Sequence, residues 1–162
     1  MRMSTWLPAL VLATLVVGPI ASVGDAQGAA GPESAQGPSD PQGRTMKIRL
    51  DVEGTTITAT LIDNATSRDF ASLLPLTLTL TDYAATEKIS DLPRKLSTEG
   101  APPGSDPSVG DIAYYAPWGN LAMFYRDFGY SSGLIKLGTI DSGIEALNRP
   151  GPLKVSIELL KK

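Results

Sequence analysis

The chain contains neither cysteine nor histidine. Without cysteine there is no disulfide framework and no thiolate nucleophile. Without either residue, zinc sites built on sulfur or imidazole are excluded, and so is the histidine general base of most hydrolase designs. Proton transfer is left to carboxylates, lysine, tyrosine and hydroxyls. An excess of positive charge is missing as well. The net charge is −3, and Arg68, Lys88, Arg94, Lys95, Arg126, Lys136 and Lys154 form no run, so no nucleic-acid partner is expected. No Asp-x-Asp-x-Asp loop of the calcium-binding kind occurs. Neither a metal nor an organic cofactor is expected.

Long apolar runs are scarce; the one present is Trp6 to Ile20, preceded by Arg2 as the only charge. At about fifteen residues it falls short of the roughly 20 that a bilayer span requires. It fits the apolar region of a secretory signal, with the small residues Gly24 and Ala26 placing cleavage after Ala26. The expected location is exported, periplasmic or extracellular, with no stable membrane span once the signal is removed. Residues 27–44 are rich in Gly, Pro, Ser, Ala and Gln and offer little to bury, so they read as a disordered linker. The folded domain is expected over residues 45–160.

Within that domain the dominant pattern is alternation. Met46, Ile48, Leu50 and Val52 alternate with polar residues, and Ile57, Ala59 and Leu61 form the return strand of a hairpin. Leu76, Leu78 and Leu80 alternate with threonines, as Leu153, Val155, Ile157 and Leu159 do with polar residues near the end. Phe70, Leu73 and Leu74 stand at helical spacing, with capping candidates over Asp63–Thr66 and a Thr66–Asp69 pair at box spacing. A second short helix is expected over Ser142–Leu147. Arg94 to Val109, with three prolines, reads as a long ordered loop. The sum is mainly β, with roughly seven or eight short strands and two short helices, a barrel pattern.

Aromatics make up only 6% of the chain, yet residues 110–130 hold Tyr114, Tyr115, Trp118, Phe124, Tyr125, Phe128 and Tyr130. Two strands, Gly110–Ala116 and Leu121–Arg126, flank a Pro117-Trp118-Gly119-Asn120 turn. Trp118 either projects from it as a binding anchor or folds back to plug the barrel end. Of Tyr114 and Tyr115 one faces inward and one outward. Phe124 is expected in the core, with Arg126 on its face near Asp111 or Asp127. Glu87, Arg94 and Glu99 are expected to frame a polar pocket beside the aromatics. The candidate ligand-binding residues are therefore Tyr83, Glu87, Arg94, Glu99, Tyr115, Trp118 and Arg126, with no catalytic residue assigned.

Four segments resemble the bacterial cyclophilin-like fold family. They are Asp63-Asn64-Ala65-Thr66-Ser67-Arg68-Asp69-Phe70-Ala71-Ser72-Leu73-Leu74-Pro75, Asp91-Leu92-Pro93-Arg94-Lys95-Leu96, Gly110-Asp111-Ile112-Ala113-Tyr114-Tyr115-Ala116-Pro117-Trp118-Gly119-Asn120, and Leu137-Gly138-Thr139-Ile140-Asp141-Ser142-Gly143-Ile144-Glu145-Ala146-Leu147. The resemblance implies a closed eight-stranded antiparallel barrel capped by helices. A more distant similarity links it to the cyclophilin peptidyl-prolyl isomerases, whose active surface uses Phe-His-Arg, Gln-Gly-Gly-Asp and Trp-Leu-Asp-Gly-x-His segments. None is present here. The expectation is an exported domain that binds a small molecule or peptide without catalysis; the alternative is a divergent isomerase with Arg94 or Arg126 as its cation.

Overall fold

A computed structural model of the chain describes residues 45–161. The expected signal and linker lie outside the described residues. The elements run β1 (Met46–Val52), β2 (Thr55–Leu61), α1 (Ala65–Ala71), β3 (Leu76–Tyr83), β4 (Glu87–Asp91), β5 (Gly104–Ser105), β6 (Asp111–Tyr115), β7 (Asn120–Phe124), β8 (Ser131–Ser132), β9 (Leu134–Ser142), a 3-10 helix (Ile144–Leu147) and β10 (Leu153–Leu159). Eight strands close an antiparallel barrel in the order β1-β10-β3-β4-β7-β6-β9-β2, and β5 pairs with β8 in a separate ribbon. Closure removes the free edges that threonine-rich strands would otherwise expose.

The alternation becomes an inside and an outside. Ile48, Leu50 and Val52 of β1, Ile57, Ala59 and Leu61 of β2, and Val155 and Ile157 of β10 are fully buried in the barrel interior. Register keeps the two faces apart: Leu50 lies opposite Ile57 on one side and Ile157 on the other. β9 runs nine residues to Ser142, because it must pair with both β2 and β6. Its register against β6 shifts between Ile112 and Ala113. At that irregularity Gly138 approaches β2 so closely that a Cβ would sit 2.3 Å from the Thr60 carbonyl oxygen.

Of the capping candidates over Asp63–Thr66, Asn64 is the N-cap: its Oδ1 accepts from the Ser67 N–H at 2.7 Å, and the Thr66–Asp69 pair does not form the cap. Its Nδ2 donates to the Lys136 carbonyl, and Ser67 Oγ donates to that of Leu137. One Asx cap therefore both starts the helix and ties it to β9, which places Phe70 in the core cluster. The helix ends at Ala71, well before Pro75. The second helix is a single 3-10 segment.

Lys88 is an interior residue that alternation alone does not announce. It lies opposite Met123 on the inner face and is 0% exposed. Its Nζ donates to the Arg149 and Gly151 carbonyls at 2.6 and 2.9 Å and pairs with Asp82 at 2.8 Å. A buried ammonium is tolerated only when its three donors are satisfied, as they are here.

Candidate functional site

The outer wall of the barrel carries a second, smaller apolar cluster, formed by Ala113, Ala122, Phe124 and Leu134 with Ile89 and Tyr115 against it. Directly opposed residues on neighbouring strands share a face. Tyr83 opposes Glu87, Glu87 opposes Phe124, and Ile89 opposes Ala122. Ala122 opposes Ala113, Asn120 opposes Tyr115, and Tyr115 opposes Leu134. These pairs run across β3, β4, β7, β6 and β9 as one continuous patch. Two adjacent alanines at its centre leave a depression between larger neighbours. The result is a cavity of about 160 Å³ whose wall includes Tyr83, Glu87, Ile89, Tyr115, Trp118, Asn120, Phe124 and Phe128.

Tyr114 and Tyr115 divide as alternation requires. Tyr114 points inward, and its hydroxyl accepts from the Leu96 N–H at 3.1 Å. Tyr115 points outward and meets Trp118 edge-on, with ring centroids 5.3 Å apart. Trp118 does not plug the barrel end. It is 56% exposed and also meets Tyr83 edge-on at 5.5 Å. The indole thus bridges the two sides of the outer patch. The loop that carries it spans Ala116–Gly119, with Gly119 at φ 80°, a conformation glycine adopts without strain. The Gly119 N–H donates to the Tyr115 carbonyl at 2.8 Å and closes the loop. Phe124 is buried, but in this outer cluster and not in the barrel interior.

Asn120, expected in the turn, is the first residue of β7. It is 2% exposed. Its Nδ2 donates to the Leu121 carbonyl at 3.4 Å, while its Oδ1 has no hydrogen-bond partner among the described residues. Reversing the amide would set oxygen against oxygen at Leu121, so the open group is an acceptor. Buried polar groups are nearly always paired, so this one is informative.

Glu87 supplies the charge. Burial against the aromatic wall pushes its carboxyl up to about 7, because a half-enclosed carboxylate loses hydration. No lysine or arginine lines the cavity, and Glu87 makes no salt bridge among the described residues.

The other three expected site residues lie elsewhere. Arg94 grips Asp69 of α1 with two nitrogens, at 2.5 and 2.9 Å, and the Ser97 N–H donates to the same carboxylate at 2.7 Å. Arg94 and then Ser97 hold Asp69 down to about 2. This clamp anchors the start of the long loop and takes Arg94 away from the aromatics. Glu99 is exposed on that loop and does not line the cavity. Arg126 borders a different surface concavity, with Tyr125, Asp82 and Arg149. It does not engage the expected carboxylates: Asp111 pairs with Lys136, and Asp127 accepts from the Val109 N–H. Among the described residues no group of three or more acidic side chains is placed to hold a metal ion.

Comparison with known proteins agrees with this architecture. The model of the cyclophilin-like family matches residues 50–158. The chain belongs to the cyclophilin-like family. A hypothetical protein of Archaeoglobus fulgidus, known from its solution structure, is similar at 18% identity with a TM-score of 0.53, over 75% of this chain and 99% of that one. That likeness concerns the fold alone. No curated protein matches the chain.

Proposed function

We propose that this is an exported binding domain that takes a small molecule or a peptide side chain into the outer-wall cavity, without catalysis. The observation that carries the reading is the convergence of Tyr83, Glu87, Tyr115 and Trp118 on one cavity, beside a buried amide oxygen that has no partner among the described residues. A wall of aromatics with a few placed polar groups is the usual make-up of a small-ligand site. Export is supported by the Arg2-led apolar run and the small residues before Gln27. Among the described residues no helix is long and apolar enough to cross a membrane.

The isomerase alternative needs a cation beside the prolyl nitrogen, to lower a barrier of roughly 18–20 kcal/mol. Arg94 is committed to Asp69, and neither Arg94 nor Arg126 lines the aromatic cavity, which favours binding over isomerisation. Three measurements test the reading. A fragment library screened by NMR should shift the Trp118 indole resonance, and Trp118→Ala should abolish the response in a folded protein. A protease-coupled prolyl peptide assay should give the uncatalysed rate; acceleration at enzyme-level protein would reverse the assignment. Mass analysis of the mature N-terminus from an exporting host tests cleavage after Ala26.

A further inference from the structure

The chemistry of the cavity narrows its ligand, and this step rests on the binding reading above. Its only charged side chain is Glu87, and the one buried polar side-chain atom without a partner among the described residues is Asn120 Oδ1, so both features are acceptors. Among the described residues no lysine or arginine side chain faces them from the wall. Between them lie Ile89 and Ala122, with Trp118 reaching over to Tyr83. Glu87 stands beside Phe124, four residues along β7 from Asn120, which is about 13 Å of strand. The two acceptors therefore serve opposite ends of a ligand.

We propose that the cavity binds an elongated organic cation: an ammonium group held by Glu87 among the faces of Tyr83, Trp118 and Phe128, an apolar body over Ile89 and Ala122, and a hydrogen-bond donor at the far end meeting Asn120 Oδ1. Aromatic faces attract a cation through their quadrupoles, and the carboxylate adds a charge-assisted hydrogen bond. An anion would meet the Glu87 carboxylate with no lysine or arginine in the wall to offset it. A neutral apolar molecule would leave Asn120 unpaired. The volume of about 160 Å³ suits one ring; a cavity of about 150 Å³ elsewhere holds benzene.

The upward shift of Glu87 supports this assignment. A bound ammonium would draw the carboxyl into its ionised form, so amine affinity rises as pH climbs through about 7. The other titratable groups in the cavity wall are the phenols of Tyr83 and Tyr115, while Tyr125, held by Asp82, feels Glu87 from its own side.

Four probes of one shape separate the outcomes: tyramine, tyrosol with a hydroxyl in place of the ammonium, 4-hydroxyphenylacetate as the anion, and phenethylamine without the far donor. Titration of the full chain, followed by Trp118 fluorescence and calorimetry at pH 8, should show tyramine bound about tenfold or more tighter than tyrosol. The anion should be weakest and phenethylamine intermediate. Glu87→Gln should shrink the preference for tyramine over tyrosol to about twofold or less, and Asn120→Leu should erase the difference between tyramine and phenethylamine. Tyrosol or the anion binding as tightly as tyramine overturns the cation assignment and leaves the binding reading intact. Silence from all four also overturns it, and the fragment screen then decides separately whether the cavity binds anything. The wild-type ranking alone suffices if either variant fails to fold.

Discussion

Trp118 meets Tyr83 edge-on, with ring centroids 5.5 Å apart and planes at 88°. The contact joins the β6–β7 loop to the end of β3, elements that are not neighbours in the barrel order. It holds an exposed indole over the outer wall without burying it. Edge-to-face pairs contribute about 0.5–1.5 kcal/mol beyond burial. Trp118→Ala is therefore expected to cost no more than about 2 kcal/mol while removing the roof of the cavity. Chemical denaturation beside ligand titration checks this; a much larger loss would make the ring a structural element.

Glu87 carries a stability signature of its own. Its folded-state pKa, about 7, lies above the unfolded value of about 4.3. The native state therefore holds the proton over that interval, and the contribution is full below the unfolded value and lost as pH rises through 7. Glu87→Gln should match the wild type near pH 4 and exceed it at pH 8 by about 1 kcal/mol, the full shift being discounted for residual solvent contact. Denaturation midpoints across pH 4–8 measure the difference. A constant offset between the two proteins would refute the shift.

Much of the barrel was legible in the sequence because alternation states which residues share a face. Leu76, Leu78 and Leu80 lie on one face of β3, and Tyr114 and Tyr115 on opposite faces of β6. Alternation does not say which face closes inward or what covers the other. Phe124 looks like a core residue and is buried, yet its cover comes from the outer patch. Asn120 is hidden for a local reason: Pro-Trp-Gly-Asn reads as a four-residue turn, but the loop begins one residue earlier and hands Asn120 to β7. The role of Arg94 is not legible in the sequence because its partner Asp69 is distant in sequence and meets it only after α1 docks. Lys88 gives no signal at all, since a lysine in a strand looks the same whether it faces solvent or a ring of carbonyls.

Lys88 should be among the costliest side chains to replace. Lys88→Met preserves the apolar stem but strips the donor from two carbonyls and Asp82. A loss of about 3 kcal/mol is expected, in the range for breaking a buried, hydrogen-bonded charge. Tm and urea midpoints report it. A neutral outcome would mean that the 149–151 segment finds other donors.

The Asp69–Arg94 clamp predicts an acid-sensitive loop. Arg94 first, then the Ser97 N–H, hold Asp69 down to about 2, below the unfolded value of about 3.9. The stabilisation is present above the unfolded value and disappears as pH falls from about 4 towards 2. Asp69→Asn keeps the size of the side chain but loses the charge that Arg94 requires. In that variant amide exchange should quicken over Arg94–Glu99 at pH 7 while the barrel strands stay protected, and the acid limb of the stability curve should flatten between pH 4 and 2. The Leu96 N–H gives the sharpest readout, because it donates to the buried Tyr114 hydroxyl and leaves that group unpaired if the loop lifts. Unchanged exchange at Leu96 would show that Tyr114, and not the clamp, holds the loop to the barrel.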